Sequence, residues 1–504
     1  MKWRVDRLRA PFSFSASIGR AAWQPRWIDA ALILCGAALI LRWGLIGDPL
    51  AGYDEQFYLL VGQRWLDGAL PYVDIWDRKP PGLFALYAAA AALGSGGVLA
   101  YQLLATGVAA ATALIIAAIV ARHEARSVGI ACGLLYLLYL TPLRGDVGQA
   151  PVFYNALIAA AALAVFAAWP RLETQRGHAL AVAAMLACGA ALTIKTTVIF
   201  ESAAFGIALL IGSRRAGLGW PAIARRAGLF MAIGATPFLL FAAWFAAHGA
   251  LDAFWFANAR SAMLRRHDWA WADAIQLGFL LASLAPLALL GMLGWRHRSV
   301  SQRAEQELML GWLAAAAIGV VSVGIYHEHY ALPMLVPLAI VAAPFIARGP
   351  LRLSLLALIA AAPLYAALVE APRQGAHDRA DWQAIAAAIP ARVRHECMFV
   401  FAGPPILYQA TDACLVSRFA FPDHLASAGE AGALGIDPSA ELHRVLAARP
   451  AVIVTDDDPY ALMRSAAATA RVDAVLARDY RLRARIRTRF FEHDRTLLIW
   501  VHNG

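Results

Sequence analysis

Long apolar runs separated by short polar loops make up about the first three quarters of the chain. A run of roughly 17–25 mostly apolar residues is long enough to cross a bilayer as a helix. About eleven runs reach or approach that length, and the pattern therefore predicts about eleven transmembrane helices. They are predicted at Trp27–Ile46, Val98–Ala121, Val128–Pro142, Val152–Trp169, Ala179–Ile194, Thr197–Gly212, Ala227–Ala247, Ala274–Trp295, Glu307–Ile325, Tyr330–Ala347 and Leu351–Val369.

The apolar run Leu83–Leu93 is shorter, ends in Gly-Ser-Gly-Gly, and decides on which side every later loop lies. If it lies at the interface, the arginine-rich loops fall on the same side as the basic N-terminal tail, which is the cytoplasmic pattern. If it spans, that bias largely reverses. We therefore predict an interfacial helix, a cytoplasmic tail at 1–26, a transmembrane domain at 27–369 and a first periplasmic loop with interfacial helices at 47–97.

From about Glu370 the chain changes to a charged sequence with soluble patterning. Helix-like spacing at Arg379–Val393, Ser439–Ala448 and Tyr460–Tyr480 alternates with strand-like runs at Met398–Ala402, Val452–Thr455 and Leu497–Val501. This alternation predicts a periplasmic α/β domain at 370–504. Two cysteines, Cys397 and Cys414, lie in it. Either they form a disulfide in the oxidising periplasm or both are buried free thiols.

Composition supports the membrane assignment. The chain has 504 residues, of which 61% are hydrophobic and 15% charged, whereas soluble domains are roughly half apolar. A net charge of +10 raises the question of nucleic-acid binding, but arginines scattered between apolar runs are better explained by membrane topology. The sequence thus predicts a multi-pass protein of the bacterial inner membrane with membrane lipids, and no nucleic acid, as partners.

Candidate chemistry begins in the loop Gly52–Gly82. Asp54 and Glu55 open a helix predicted to reach Leu66, and its apolar stripe at Tyr58, Val61 and Trp65 suits a helix lying on the bilayer. Acids also favour a helix N-terminus for electrostatic reasons alone. The chain then returns to the membrane through Asp-Arg-Lys-Pro-Pro, which places two cations before a rigid turn. The loop supplies Asp54 and Glu55 as candidate catalytic carboxylates and Arg78 and Lys79 as candidate phosphate-binding cations.

Weaker candidates occur in later loops. Asp146, within RGDVGQAPVFYN, is a candidate for binding sugar hydroxyls or an acceptor, and Lys195 is a second candidate cation. His327-Glu328-His329-Tyr330 at a span boundary contains metal-ligand side chains, but His329 and Tyr330 fit a phosphate contact better because consecutive residues seldom converge on one ion. Arg260, Arg265 and Arg266 in the loop Phe254–Trp271 either bind an anionic lipid or form part of an interfacial belt.

These elements resemble the C-class integral-membrane glycosyltransferases (GT-C), in the bacterial branch related to protein O-mannosyltransferases and to the aminoarabinose and galacturonosyl transferases of lipid A. The resemblance rests on Asp54-Glu55 after the first span, Lys79-Pro80-Pro81, Asp146, Leu192-Thr193-Ile194-Lys195 and His329-Tyr330-Ala331-Leu332-Pro333. It covers about residues 27–350. The fold class expected is therefore a polytopic α-helical membrane protein, GT-C-like, with a C-terminal periplasmic α/β domain.

The resemblance implies transfer of a sugar from a polyprenyl-phosphate-linked donor to an envelope acceptor, with Asp54 as general base and inversion at the anomeric carbon. The acceptor class stays open between lipid A or its core, another glycan and a protein. No cofactor is required by the sequence, and a divalent metal stays an open alternative. The competing interpretation is a polytopic transporter or lipid-linked sugar flippase, since many spans with embedded charge are also typical of those proteins.

Overall fold

In the computed structural model of the protein, the described residues are 25–265, 271–297, 303–349, 351–457, 464–490 and 493–503. The predicted tail 1–26 therefore lies, except for its last two residues, outside them. Helices dominate up to residue 388. They are α1 Trp27–Arg42, α2 Tyr53–Leu66, α3 Pro81–Ala91, α4 Gly97–Val120, α5 Arg126–Tyr139, α6 Ala150–Ala168, α7 Gln175–Leu192, α8 Ile199–Arg215, α9 Trp220–Ala247, α10 Leu251–Trp255, α11 Ser261–Leu264, α12 Trp271–Gly294, α13 Arg303–Val323, α14 Leu332–Val341, α15 Ala343–Arg348, α16 Arg352–Tyr365 and α17 Ala371–Ala388.

Within the described residues, nine helical segments are long and apolar enough to cross a membrane, which confirms the multi-pass membrane class. Each of the eleven predicted spans coincides with a helix, but α5 has only 14 residues and α7 carries Gln175, Arg176 and His178 in its first turn. The exact number of spans stays a prediction. The nine segments are Trp27–Leu45, Gly94–Val120, Ala150–Arg171, Thr196–Arg215, Trp220–Ala247, Trp271–Gly294, Glu305–Val323, Glu328–Arg348 and Arg352–Ala388.

The segments differ in how deeply they lie in the bundle. In the most apolar window of Glu328–Arg348, 78% of residues are buried inside the protein, against 11% for Trp220–Ala247. The exposed side chains of the second segment include Leu229, Met231 and Leu240. Such a surface is unfavourable in water but suits contact with lipid. Glu328–Arg348 is therefore an inner helix of the bundle, and Trp220–Ala247 is a peripheral one.

Helices α2 and α3 pack tightly against each other. Gly62 of α2 approaches α3 so closely that a Cβ built on it would lie 2.5 Å from the backbone nitrogen of Ala88. Eleven residues of α3 extend only about 16 Å, roughly half the hydrocarbon thickness of a bilayer, so α3 cannot span alone. The prediction that the α2 stripe lies on the bilayer is wrong. Tyr58 and Val61 are buried in the protein core, and Trp65 packs on Trp244.

The C-terminal part contains α18 Val393–Glu396, α19 Ile406–Ala410, α20 Pro422–Ala426, α21 Pro438–Ala447 and α22 Ala466–Asp479, with four strands. The strands β1 Met398–Val400, β2 Val452–Asp456, β3 Tyr480–Phe490 and β4 His493–His502 form one sheet of order β1-β2-β4-β3. Strand β1 is parallel to β2, and the other two pairings are antiparallel. The predicted α/β composition is confirmed, and we call residues 389–503 the outer domain. Its placement on the periplasmic side stays a prediction.

Both faces of β1 and β2 are buried, which explains why these two strands are apolar. Alternate side chains of a strand point to opposite faces. Val452 and Val454 join the core shared with the membrane helices, whereas Ile453 packs with Leu442 and Val472 of α21 and α22. The helical segment Arg352–Ala388 runs past residue 370, so the chain passes from the bundle toward the outer domain within one continuous helical segment.

Strand β3 is an element that the sequence pattern did not reveal. Its sequence, YRLRARIRTRF, alternates arginine with other residues, and its arginines are exposed. Charge on an edge strand is a common feature, but it hides the apolar alternation that marks a strand. The cysteines of the outer domain are bridged, Cys397 to Cys414, which resolves the alternatives in favour of the disulfide.

Candidate active site

Asp54 and Lys79 lie together at one site. Lys79 Nζ is 3.8 Å from Asp54 Oδ2, and 17% and 24% of the two side chains, respectively, are exposed. Asp54 is at the start of α2, and Lys79 precedes the Pro80-Pro81 turn that begins α3. The close packing of α2 on α3 therefore brings the two residues together. The site is partly shielded from water, which strengthens the attraction between the two charges, and it is open enough to admit a reactant.

Tyr58, one turn after Asp54 on α2, completes this pair. Its hydroxyl donates to Asp54 Oδ2 at 3.1 Å, and Lys79 Nζ lies 5.5 Å from the centre of its ring. Burial by itself would raise the pKa of Asp54, but Lys79 and the Tyr58 hydrogen bond contribute to lowering it to about 2. Burial likewise opposes the charge on Lys79, yet Asp54 raises its pKa above the ordinary value. Both groups are thus charged at neutral pH.

Lys195 reaches the same site from the loop after α7. Its Nζ lies 4.5 Å from the ring centre of Tyr330, in a short 3-10 helix at Glu328–Ala331. The ring of His329 is 4.4 Å from that of Tyr330. Burial, and then the positive charge of Lys79, lower the pKa of Lys195 to about 7. The charge of Lys195 in turn contributes to lowering the pKa of Asp54, so Lys195 lies near the Asp54–Lys79 pair.

Glu55 and Asp146 lie near each other, and their predicted roles at the acceptor stay predictions. The carboxylate of Glu55 is buried, folds back over Gly52, and accepts a hydrogen bond from Gln149 at 3.2 Å. Burial, followed by the charge of Asp54, raises its pKa to about 8. Burial also raises the pKa of Asp146, which lies near Glu55. Glu55 therefore joins α2 to the loop that carries Asp146, and its carboxylate does not share the Asp54–Lys79 contact.

The loop around Asp146 is held by buried hydrogen bonds. Arg42, at the end of α1, donates to the carbonyl oxygen of Gly145 at 2.8 Å and to that of Val147. Tyr87 donates to the Gly148 carbonyl at 2.7 Å. Arg42 is a charge inside an apolar span, and such charges suggest function. The hydrogen bonds of Arg42 instead hold the loop that carries Asp146 in place.

Arg78 does not share the Asp54–Lys79 contact either. Its guanidinium forms a bidentate ion pair with Glu430 of the outer domain, with Nη1 2.9 Å from Oε1 and Nη2 bonded to Oε2. Arg265 pairs with the same carboxylate, its Nε 2.9 Å from Oε1. Nothing in the sequence around Glu430 indicated this contact, because it joins segments that are remote along the chain.

A small cleft continues from Lys195 between α6, α8 and α13. Its lining includes Tyr154, Glu201, Tyr330 and the small or branched α13 residues Ala316, Gly319 and Val320. Glu201 is buried within a span, and its carboxylate accepts a hydrogen bond from the Trp312 indole at 2.7 Å. Glu201 is not among the predicted site residues, although an acid inside an apolar run is itself a signal of function.

Metal-ligand side chains do not cluster in the described part of the chain. No group of three or more His, Cys, Asp or Glu residues there could hold a metal ion. His327 and His329 are near each other, with ring centres 5.9 Å apart. Asp456, the last residue of β2 and the first of three consecutive aspartates, is instead paired with Arg464 at 2.6 Å and Arg495 at 3.0 Å.

Comparison with solved structures identifies the fold. No family model and no curated protein matches the chain. The crystal structure of ArnT from Cupriavidus metallidurans in the apo state superposes with a TM-score of 0.61 at 14% identity, covering 94% of this chain and 97% of that one. ArnT bound to undecaprenyl phosphate gives 0.59 at 13% identity, covering 94% and 98%. The GT-C-like fold expected from the motifs is thereby confirmed over nearly the whole chain.

Proposed function

We propose that this protein is an integral-membrane glycosyltransferase of the bacterial inner membrane, which transfers a sugar from a polyprenyl-phosphate carrier to a hydroxyl group of a cell-envelope acceptor. The observation that carries the proposal is the contact between a charged carboxylate and a charged ammonium, Asp54 and Lys79, in a partly open site. The ArnT-like fold supports it, and one of the ArnT structures contains undecaprenyl phosphate.

Asp54 is the proposed general base. An acceptor hydroxyl must lose its proton as it attacks the anomeric carbon, and a positioned carboxylate can accept that proton. With a pKa of about 2, Asp54 is ionised at any physiological pH. Tyr58 and Lys79 contact the same carboxylate oxygen, so they orient the group. The second oxygen is the one proposed to face the acceptor.

Lys79 and Lys195 are the proposed partners of the leaving group. Negative charge grows on the carrier phosphate as the glycosidic bond breaks, and preorganised cations lower the energy of that state. The two ammonium groups come from different loops and face the same space as Tyr330. A phosphate between them would relieve their mutual repulsion, which favours binding of an anion there.

A single displacement with inversion fits the carboxylates present. A retaining mechanism uses a second carboxylate as nucleophile, with the two carboxyl groups only ~5–5.5 Å apart. Glu55 is the acid next to Asp54 in the chain, but it is buried over Gly52 and bonded to Gln149, and its pKa of about 8 keeps it protonated at neutral pH. Asp54 is therefore proposed to act alone as base.

The lipid tail of the donor is proposed to leave the site beside Lys195 along the α13 side of the cleft, which would have to widen from about 10 Å³ to admit the chain. Its α13 wall presents Ala316, Gly319 and Val320, which offer apolar surface without bulky side chains. An isoprenoid chain leading away from a phosphate at Lys195 has the matching chemistry. The acceptor would approach Asp54 from the side on which the outer domain covers α2, and that side is proposed to be periplasmic.

Mass spectrometry of envelope glycolipids and glycoproteins tests the function. A strain lacking the gene should lose a hexose, pentose or uronic acid from one envelope component, and the wild-type gene should restore it. A gene encoding Asp54→Asn should not restore it, although the protein reaches the membrane at normal levels. Unchanged envelope glycans in the deletion strain would contradict the proposal. Movement of the donor across the bilayer by the purified protein, without sugar transfer to any acceptor, would favour the flippase interpretation.

A further inference from the structure

We propose that Glu430 is a positioning residue for the carrier-phosphate site. It holds Arg78 and thereby fixes the adjacent Lys79, and it holds Arg265 at the end of a second loop. This inference rests on the proposed function, because it assigns Lys79 to the phosphate. It goes further in giving the outer domain a part in building the site.

The contacts of Glu430 join three remote segments. Glu430 ends a short 3-10 helix of the outer domain, Ala428–Glu430, and only 3% of its side chain is exposed. Arg78 comes from the first loop and Arg265 from the segment after α11. Burial by itself would raise the pKa of Glu430, but Arg78 and Arg265 hold it below the ordinary value. The carboxylate is thus charged and shared by two guanidinium groups.

Arg78 is held firmly enough to transmit its position to Lys79. A bidentate pair between arginine and carboxylate fixes orientation as well as distance. The Arg78 guanidinium also lies 5.6 Å from the ring centre of Trp76, and its backbone nitrogen donates to Asp77 Oδ1 at 2.6 Å. Tyr72 donates to the carbonyl of Lys79 at 2.9 Å. The backbone on both sides of the Arg78–Lys79 peptide is therefore held by named contacts.

Glu430 also offsets charge beside the proposed phosphate site. Arg78 opposes the charge on Lys79, and Arg265 opposes the charge on Lys195. Without the Glu430 carboxylate, the partly buried guanidinium groups of Arg78 and Arg265 would lose their ion-pair partner, which is unfavourable. A shift of Arg78 would move the first loop, and a shift of Arg265 would move the segment after α11, because each arginine is part of that segment.

Residues of the outer domain before and after Glu430 accept hydrogen bonds from the same two segments that supply Arg78 and Arg265. Trp76 donates its backbone nitrogen to the carbonyl of Arg418 at 2.9 Å. Ser261 donates its hydroxyl to the carbonyl of Ala433 at 2.7 Å. Glu430 lies between these two bonds along the chain and supplies the charged contact. The outer domain therefore holds both loops in register.

The test is a double-mutant cycle between Glu430 and Lys79, which do not touch each other. The probe is undecaprenyl phosphate, and the measured quantity is its affinity for the purified full-length protein in detergent or nanodiscs. Misplacing a binding group by about 1 Å can cost about 100-fold, so we expect Glu430→Gln to weaken binding about 10- to 100-fold. In a Lys79→Met background the same change should weaken binding less than about 3-fold, since the group being positioned is gone.

Glu441→Gln is the matched control, because Glu441 is another carboxylate of the outer domain paired with an arginine, Arg444, at 2.6 Å. It should bind the probe like the wild type. Equal losses from Glu430→Gln in both backgrounds, or tighter binding by Glu430→Gln alone, would overturn the inference. If Glu430→Gln does not fold, Arg78→Met replaces it in the cycle with the same expected non-additivity.

Sugar transfer is measured separately on the same variants. If the wild type binds undecaprenyl phosphate but transfers no sugar from any polyprenyl-phosphate donor, the proposed function fails, while the binding cycle still decides whether Glu430 positions Lys79. If the wild type transfers sugar and the cycle is additive, only the positioning role fails.

Discussion

The ammonium of Lys79 lies 3.8 Å from the carboxylate of Asp54, and neither group is fully enclosed. The distance is longer than a good hydrogen bond, so the pair is linked by charge rather than by a shared proton. Opposite charges at this range keep each other ionised. The ionised carboxylate of Asp54 and the ammonium of Lys79 are thus held at one site, and space is left there for a reactant.

Removing the base tests the central role of Asp54. Asp54→Asn keeps the shape of the side chain but cannot accept the proton, so we expect kcat for sugar transfer to fall about 10²- to 10⁴-fold. The control is Asp67→Asn, the same change in an exposed acid just after the other end of α2. It should leave kcat unchanged. Equal activity of Asp54→Asn and Asp67→Asn would refute the assignment of Asp54 as base.

Donor binding should depend on pH through Lys195. Burial and Lys79 lower its pKa to about 7, so the ammonium is present below that pH and is lost as the pH rises through it. A phosphodiester donor keeps its own charge over this range. Donor affinity of the wild type should therefore fall between pH 6 and pH 8.

Lys195→Arg is the control for this pH effect, since arginine stays charged and its donor affinity should be nearly constant over the same interval. Binding is measured by titration with a polyprenyl-phosphate sugar. Parallel pH profiles for the wild type and Lys195→Arg would show that Lys195 does not titrate at the donor site.

Packing of α2 on α3 should be sensitive to a single methyl group. A Cβ at Gly62 would lie 2.5 Å from the Ala88 nitrogen, and the backbone there cannot yield without moving α3. We expect Gly62→Ala to destabilise the protein by about 1–3 kcal/mol and to reduce transfer, because α2 carries Asp54 and α3 follows Lys79.

Gly107→Ala in α4 is the matched control, since a Cβ there meets nothing within 4 Å. Thermal unfolding in detergent and transfer activity are measured for both variants. If Gly62→Ala unfolds at the same temperature as Gly107→Ala and transfers sugar equally well, the close approach of the two helices is not required.

The disulfide of the outer domain should contribute to its stability. Cys397 and Cys414 close a loop with a sequence separation of 17, for which the loss of chain entropy on cross-linking corresponds to about 3 kcal/mol. Cys397→Ser should lower the unfolding temperature, and reductant should do the same to the wild type. Thiol titration of the denatured, non-reduced protein should count only Cys35, Cys132 and Cys188. Five titratable thiols would contradict the bridge.

Some features follow from the chain alone because they are properties of contiguous residues. Run length and apolarity predict membrane helices, and each predicted span coincides with a helix. Asp54 and Lys79 lie near the two ends of one loop, Gly52–Gly82, where the chain leaves the membrane and returns to it, so their meeting was foreseeable. Strand β3 was not predicted, because its arginines mask the alternation of apolar and polar residues that marks a strand. Its hydrogen bonding to β4 makes it a strand.

Side-chain partners depend on the tertiary structure instead. Glu55 follows Asp54 in the sequence, yet the α-helix turns its carboxylate toward Gln149, while Arg78, next to Lys79, pairs with Glu430. Lys195 and Tyr330 meet only because their separate loops pack together. The sequence determined the membrane class and the chemical groups, whereas packing between remote segments decided which groups share a site, since contacts at that separation leave no local pattern.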